Sequence, residues 1–450
     1  MNANSPEDAA EPVFQDPASD RPSETVELSD QDFIVVEDSD FTDPPDSGDR
    51  RGRGRQRVRL PGPGFWESVG WMGGLLILHM GVGIFVVAIS AVMFFSKGGF
   101  GQAVPLPAAP AEAEVSVDPL TDNSPADGEE AKPAEPAEPA VADAANPTTT
   151  PSDPAAQFVA QMSAEMKRAM PALLGLTGIV TCLYGLVLCR YRLGKENFQA
   201  LGWRLPSAHQ LVAIGLLVIP LSALCTSIQT AAFKRFPGSM SEMQNLFDGV
   251  QDLPFPLLVL ILALLPALGE ELLFRGLIGR GLLARFGLPV GMVVTSILFG
   301  LIHINPAQVL GVIPLGLAMH FVYSTTRSFW GPVLLHFLNN SLAAVMLQFG
   351  DKLPFKNLDD PDLGLPLGVL TMATAAVCGL TGWLWQTRVE FRGVDGELYP
   401  ADGADCGVPF DAGDYTRETS LPYWWQVVAS LSGIAGLIYV ASNAPPVMRP

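Results

Sequence analysis

The sequence predicts an all-α protein, a polytopic membrane helical bundle of about eight to nine transmembrane helices with a disordered acidic N-terminal tail and an Ala/Pro/Glu linker. Two observations support this fold class. The 450 residues are 48% hydrophobic with a mean hydropathy of +0.29, yet the formal net charge is -19. Both values can hold only if the charge is segregated, and apolar stretches of about twenty residues, long enough to cross a bilayer, do alternate with acidic ones.

The acidic charge lies in two segments. Residues 1–49 carry fifteen acidic side chains and one Arg, and residues 98–155 carry eleven acidic side chains and one Lys. Such compositions bury too little apolar surface to fold, so we expect a disordered acidic cytoplasmic tail at 1–63 and a disordered linker at 98–157. The one apolar island of the tail, Asp32-Phe33-Ile34-Val35-Val36-Glu37, is interpreted as a chance cluster, with a docking peptide as the alternative. The rest of the chain has 25 basic and 20 acidic side chains. This small excess gives no support to nucleic-acid binding.

The first predicted transmembrane helix lies within residues 64–97 and follows a cluster of arginines. Basic residues collect on the cytoplasmic side of a membrane, so we expect a cytoplasmic N-terminus in an integral, multi-pass protein, with the plasma (inner) membrane of a bacterium as its site. The arginines of the cluster are Arg50, Arg51, Arg53, Arg55, Arg57 and Arg59.

Hydropathy windows of about twenty residues predict nine spans over the whole chain. The eight tryptophans lie at or near the span ends, which is typical of an interfacial aromatic belt. A short interfacial helix is expected at 158–169, ahead of the second span. The predicted spans are 69–95, 170–190, 209–231, 254–274, 288–304, 308–326, 331–348, 365–387 and 424–442.

Three polar motifs lie within the predicted spans. Carboxylate, imidazole and amide groups are costly inside a bilayer and usually face a protein-lined or water-filled interior. Several such groups on neighbouring helices are typical of a catalytic centre. The motifs are Glu270-Glu271-x-x-x-Arg275, Phe299-x-x-x-His303 and His336-x-x-x-Asn340.

The first motif divides into an ion pair and a free carboxylate. Glu271 and Arg275 have the i,i+4 spacing at which a carboxylate and a guanidinium meet on one helix face, which predicts a structural ion pair. Glu270 points about 100° away and is left to act as a general base. The alternative interpretation is that this motif is merely the end of a helix at the cytoplasmic surface.

His303 lies opposite Glu270 if the fourth and fifth spans form a hairpin that turns near Gly287. Antiparallel helices of equal rise then bring the two side chains to one depth, where they can bind and deprotonate a water molecule. Phe299, one turn before His303, would line the pocket. The alternative is that His303 is a core histidine whose hydrogen bonds are satisfied within the protein.

His336 and Asn340 are also spaced i,i+4 and offer donors that suit a developing oxyanion. The alternative is that they bond across helices. Counting from the span boundary places His336 near the cytoplasmic end of its helix, which does not match the depth of His303. Structural roles are expected for His79 and His320, and no cysteine is assigned to catalysis.

Together these motifs resemble those of the CPBP family of intramembrane endopeptidases, which comprises CAAX prenyl proteases and bacteriocin-processing (ABI-type) proteins. The first motif extends to Glu270-Glu271-x-x-Phe274-Arg275-Gly276, and the stretch Leu201-Gly202-Trp203-Arg204 before the third span is also similar. The resemblance implies a protease core at 158–348. Residues 349–450, with two additional transmembrane helices and a polar loop, lie outside it.

The resemblance implies an endopeptidase that hydrolyses a peptide bond of a membrane-associated substrate, with a prenylated CAAX-type peptide as one candidate. Membrane lipid and a peptide or protein substrate are then the expected partners. The resemblance also assigns roles. Glu270 and His303 activate the water, and His336 and Asn340 stabilise the oxyanion. Structural support comes from Glu271, Arg275 and Phe299.

No cofactor is expected, although zinc is the alternative. The motif H-E-x-x-H is absent, and a glutamate-dependent mechanism fits the predicted geometry better than a metal-dependent one. If a metal were bound, its ligands would be Glu270, His303 and His336.

Two other function classes remain open. A non-catalytic membrane scaffold or bacteriocin-immunity-type protein could share the fold, although the presence of every motif residue favours an enzyme. A polytopic transporter or proton relay could use the same buried polar groups, but no internal repeat is detectable in the sequence.

Overall fold

The computed structural model describes residues 33–36, 56–59, 63–96, 154–194, 201–352, 365–393 and 415–442. Within them, seven helices are long and apolar enough to cross a membrane, and Trp424–Tyr439 is a shorter apolar helix. The chain is therefore an integral, multi-pass helical membrane protein, which confirms the predicted fold class. Most of the tail predicted at 1–63 and of the linker predicted at 98–157 lies outside the described residues.

The helices are numbered in chain order. The π-helical segments Leu260–Leu264 and Phe274–Ile278 flank α6, and Gly350–Lys352 is a short 3-10 turn after α9. The α-helices are α1 (Phe65–Phe94), α2 (Pro154–Leu193), α3 (Ala208–Arg235), α4 (Pro237–Asp248), α5 (Phe255–Val259), α6 (Leu265–Leu273), α7 (Gly279–Leu301), α8 (Pro306–Thr326), α9 (Trp330–Phe349), α10 (Leu367–Gln386) and α11 (Trp424–Ser442).

The start and the end of α8 show how local sequence sets helix boundaries. The Asn305 side chain accepts a hydrogen bond from the backbone N–H of Gln308 at 3.2 Å, and Pro306 occupies the first helical position, where its missing N–H costs nothing. The helix ends at Arg327, whose φ of 45° is left-handed. The next helix, α9, begins a few residues later, so α8 and α9 form a tight helical pair.

The run from α5 to α7 is a hairpin that turns at Gly287. This glycine has φ 73° and ψ 170°, a conformation that a side chain would strain and that breaks the helix. After the turn, Gly291 packs directly on the backbone of Leu283. The rings of Phe274 and Phe299, on opposite legs, have centroids 5.3 Å apart. The fourth and fifth predicted spans therefore form the hairpin that the sequence predicts.

The hairpin packs in the middle of the bundle. The helix α2 lies along α6, α8 lies between α3 and α7, and α9 contacts α3, α6 and α8. The N-terminal helix α1 packs on α2, and α10 packs on α3 and α11. These contacts surround the polar motifs with helices on several sides.

The hairpin approaches the backbone of α2 closely at Gly269, next to the first motif. A Cβ added there would lie 2.8 Å from the backbone nitrogen of Cys182 and 2.9 Å from Cγ2 of Thr181 on α2. Small residues at such crossings allow helices in membranes to come together. Gly269 directly precedes the first motif, so this contact fixes the height and rotation of α6.

The structure corrects three expectations. The predicted interfacial helix at 158–169 is continuous with the second span, because α2 runs unbroken from Pro154 to Leu193. The fifth span ends at Leu301, because a turn follows in which Ile304 has φ 63°. The amphipathic helix α4 was not predicted at all. Its polar composition gives no membrane-span signal.

The structure also contains two short antiparallel strand pairs, which were not predicted from the sequence. Phe33–Val36 pairs with Gln56–Arg59, so the apolar island of the predicted disordered tail is a strand. Glu390–Gly393 pairs with Tyr415–Glu418 next to the last two helices. Such four-residue strands carry too little periodicity to be recognised in the sequence.

We expect Gly269→Ala to destabilise the protein by about 1–3 kcal/mol, because the added methyl group would overlap backbone atoms of α2 that cannot move independently. The matched control is Gly215→Ala on α3, where an added Cβ meets nothing within 4 Å. Thermal unfolding of both variants in detergent checks this, and equal melting temperatures would contradict the close approach.

Candidate active site

Glu271 lies at the centre of the candidate site. Its Oε1 atom accepts a hydrogen bond from Nη1 of Arg275 at 2.8 Å and another from Nδ1 of His336 at 2.9 Å. The side chains of Glu271 and Arg275 are both 0% exposed. One carboxylate oxygen thus joins the first and third motifs. The Glu271–Arg275 ion pair is present at the predicted spacing, whereas the bond to His336 was not foreseen.

Arg275 connects the hairpin to its neighbours. Its Nη2 donates to the backbone carbonyl of Gly316, in the middle of α8, at 2.9 Å. Its guanidinium also lies 4.8 Å from the ring centroid of Phe299 on α7, in cation–π geometry. A buried guanidinium with these partners is held in one orientation. Arg275 therefore fixes the position of the Glu271 carboxylate relative to α7 and α8.

Phe299 separates the two histidines. Its ring meets His303 edge-on with centroids 5.3 Å apart and meets His336 edge-on with centroids 5.8 Å apart. Phe299 is 1% exposed. The predicted pocket wall is thus an apolar ring with an imidazole on two of its sides.

His336 is bracketed by the two glutamates of the first motif. Because the Glu271 oxygen can only accept, Nδ1 of His336 carries the proton of that bond, and Nε2 is the nitrogen left for chemistry. Nε2 lies 3.9 Å from Oε2 of Glu270. The Glu270 side chain is 17% exposed, in contrast to the sealed Glu271. This arrangement leaves Oε2 of Glu270, a buried atom of a partly exposed side chain, facing Nε2 of His336.

The expected depth mismatch between His336 and His303 does not occur. His336 contacts Phe299, which is one turn before His303, so the second and third motifs meet at one level. The mismatch was expected from counting residues in full-length spans. The short second leg of the hairpin, which ends at Leu301, removes it.

His303 lies in the turn after α7 rather than inside the helix. Its Nδ1 is 3.1 Å from the carbonyl oxygen of Phe299, and since a carbonyl can only accept, Nδ1 carries the proton and Nε2 is free to accept one. Within the part of the chain that the structure describes, His303 makes no ion pair with Glu270 inside 4 Å. The two are linked through Phe299 and His336 rather than by direct contact.

Asn340 is held by a short chain of amide and hydroxyl groups. Its Nδ2 donates to the carbonyl of Leu262 at 3.1 Å, and its Oδ1 accepts from Nδ2 of Asn339 at 3.4 Å. Ser222 on α3 in turn donates to Oδ1 of Asn339 at 2.6 Å. A carboxamide has two N–H donors, so one N–H of Asn340 remains for a ligand.

Asn339 and Ser222, which extend this chain of bonds from Asn340, were not predicted from the sequence. The adjacent Asn339 and Asn340 in an apolar helix are a usable signal, because two amides in a bilayer segment require partners. Ser222 has no such signal, because serine bonds readily to its own helix.

The residues named as ligands in the event of a bound metal do not form a ligand set. Among the described residues, no group of at least three His, Cys, Asp or Glu side chains is close enough to hold a metal ion. His336 instead uses one ring nitrogen on Glu271.

The cysteines of α2 bond to the hairpin backbone. Cys182 lies 3.4 Å from the carbonyl of Leu265, and Cys189 lies 3.7 Å from the carbonyl of Leu272. These contacts help to attach α2 to α6. The two thiols therefore have a packing role, and these hydrogen bonds do not involve Glu271.

The part of the chain that carries the three motifs is similar to a known peptidase family. Residues 252–342, which include all residues of the three motifs, match the family described as "Type II CAAX prenyl endopeptidase Rce1-like". Over 103 residues the chain is 24% identical to the protein named "Putative membrane peptidase YdiL" of Bacillus subtilis (strain 168), an alignment that covers 23% of this chain and 41% of that protein. The chain thus matches less than half of the length of this relative. No solved structure matches the chain.

We expect Glu271→Gln to destabilise the fold by about 3–5 kcal/mol, because it leaves the fully buried Arg275 without its charge partner. Asp248→Asn is the control, since the Lys167–Asp248 pair is 44% and 47% exposed and such pairs contribute about 0–1 kcal/mol. The measurement is the yield of monodisperse protein together with its thermal unfolding. If Glu271→Gln folds normally and Glu270→Gln does not, the two glutamates have the opposite roles.

Proposed function

We propose that the protein is an intramembrane endopeptidase that hydrolyses a peptide bond of a membrane-associated substrate, because residues 252–342 match the family described as a type II CAAX prenyl endopeptidase. The observation that best supports this proposal is the placement of Glu270 and the free nitrogen of His336 3.9 Å apart inside a helical membrane protein. A carboxylate and an imidazole next to a buried ion-pair network are suited to moving the protons of a hydrolysis.

In the proposed mechanism Glu270 is the general base. It accepts a proton from a water molecule, and His303 orients that water through Nε2, which the bond from Nδ1 to the Phe299 carbonyl leaves free to accept. The water oxygen attacks the carbonyl carbon of the scissile peptide bond and forms a tetrahedral intermediate. Glu270 then passes its proton to the leaving amine as the C–N bond breaks.

The negative oxygen of the intermediate is stabilised by the third motif. His336 donates from Nε2 in its doubly protonated form, while the Nδ1–H bond to Glu271 keeps the ring in position. The second N–H of Asn340 is the other donor, because the first one is used on Leu262. Glu271, Arg275 and Phe299 hold these groups in place and take no part in proton transfer.

The substrate that we propose to test first is a prenylated CAAX peptide, because the matching family is described as a CAAX prenyl endopeptidase. Its lipid would partition into the bilayer and bring the peptide to the depth of the site. An unprenylated membrane peptide of the same sequence is the comparison. Faster cleavage of the prenylated form would support the CAAX class, and equal rates would favour a broader membrane-peptide specificity.

We also propose that the N-terminus is cytoplasmic. Arg285, next to the tip of the hairpin, donates to the backbone carbonyl of Pro63 at 3.1 Å, and Arg192 at the end of α2 lies 3.6 Å from Glu67. These contacts bring Arg285 and Arg192 to the end of the bundle where α1 begins, and in the sequence the arginine cluster directly precedes that helix. Positive residues on a single side favour its assignment to the cytoplasm.

We expect alanine at Glu270, His303, His336 or Asn340 to lower turnover by about 10²-fold or more each, because each variant removes a proton-transfer or oxyanion group. The measurement is cleavage of a membrane peptide by the purified full-length chain in lipid. His209→Ala is the control, since the His209 ring bonds locally to Ser207 at the start of α3. Membrane-protein termini in cells with and without Glu270→Ala would identify natural substrates. Unchanged termini and unchanged turnover would instead favour the scaffold or the transporter.

We expect turnover to survive both a thiol alkylator and a strong chelator, because the proposed mechanism uses neither a thiol nor a metal. Each reagent is applied separately to the purified enzyme, with Glu270→Ala as the background. Inhibition by alkylation would indicate a cysteine mechanism. Inhibition by the chelator that is reversed by added zinc would show a metallopeptidase with the same residues as ligands.

A further inference from the structure

We infer that His79, on the N-terminal helix α1, is a positioning residue for Glu270 and acts through Thr181 and Gly269. The helix α1 lies outside the family match at 252–342, so nothing in that match assigns it a role. The inference rests on the proposed function, because it concerns the same reaction. It also gives this additional helix a task in catalysis besides anchoring the chain.

The helix α1 is seated along α2 in a defined antiparallel register. Tyr184 donates to the backbone carbonyl of Trp71 at 2.9 Å, and its hydroxyl lies where a Cβ on Gly74 would come within 2.7 Å. At the other end of the pair, the rings of Phe94 and Phe158 have centroids 5.7 Å apart. These contacts fix which residue of α1 faces which residue of α2.

His79 uses this register to bond to Thr181. Its Nε2 lies 2.8 Å from the Thr181 hydroxyl oxygen. The hydroxyl proton is committed to the carbonyl of Thr177 at 2.8 Å, so Thr181 accepts and the imidazole donates from Nε2. Placing an imidazole in an apolar membrane helix costs free energy unless the ring forms a hydrogen bond. The bond to Thr181 provides it.

Thr181 in turn packs on the residue before the general base. A Cβ on Gly269 would lie 2.9 Å from Cγ2 of Thr181 and 3.0 Å from its backbone carbonyl carbon, so α2 and α6 touch at this point. Thr181 is 4% exposed. A shift of Thr181 is therefore transmitted to Gly269 and to the direction in which Glu270 points.

Electrostatic interactions also connect Glu270 with the residues around Thr181. The Glu270 carboxylate is near enough to act electrostatically on His79, the hydrogen-bond partner of Thr181, and on Cys182, its neighbour in the sequence. The general base has His336 near its carboxylate and the His79–Thr181 pair behind its backbone.

The test uses the full-length chain in lipid, with kcat and KM measured separately. We expect His79→Ala and Thr181→Val each to lower kcat by about tenfold with KM little changed, because a misplaced base affects the chemical step and not substrate affinity. His79→Gln should restore most of kcat, since its Nε2 amide can donate the same hydrogen bond. Ser90→Ala is the control on α1, because Ser90 donates to the carbonyl of Val86 in its own helix at 2.8 Å.

The double variant His79→Ala/Thr181→Val distinguishes positioning from a general loss of packing. If the two residues act through one bond, the double variant has about the same kcat as either single one. Effects that multiply, or a His79→Gln variant no better than His79→Ala, would overturn the inference. So would wild-type kcat in His79→Ala. If the wild-type chain and Glu270→Ala cleave equally, the proposed function fails and the inference fails with it. If Glu270→Ala is inactive and His79→Ala has wild-type kcat, the inference alone fails.

Discussion

The double hydrogen bond at Glu271 is the interaction on which the rest of the site depends. One oxygen binds Arg275 and His336 at once, on two helices that are far apart in the sequence. Burying a lone carboxylate would be prohibitive, and the pair with Arg275 makes it tolerable. The same oxygen then selects which nitrogen of His336 is free. Folding and catalytic geometry are thus governed by a single buried group.

Much of the fold could be predicted from the sequence because bilayer helices have strong local signals. Length and hydropathy define the spans, and the i,i+4 spacing is enough to place Arg275 on Glu271. The hairpin could be predicted from Gly287, because a glycine between two apolar stretches marks a break. The resemblance to a known family added roles for the polar residues, and it did so only within the central helices.

Contacts between distant helices could not be predicted from the sequence. The bond from Glu271 to His336 depends on how α6 and α9 are rotated, and no local pattern records that rotation. His303 was placed inside a helix because the apolar stretch continues past Leu301, where the chain turns. The partnership of His79 with Thr181 was missed for the same reason, since it requires the register between α1 and α2.

The π-helical segments on either side of α6 have a further consequence. Each of these segments, Leu260–Leu264 and Phe274–Ile278, accommodates one more residue than an α-helical turn would. A residue changes the angular phase of a helix by about 100°. The glutamates therefore point where they do because of an insertion on each side of them. A one-residue deletion in either segment would remove one of the two insertions and turn the glutamates by about 100° relative to the helix on that side.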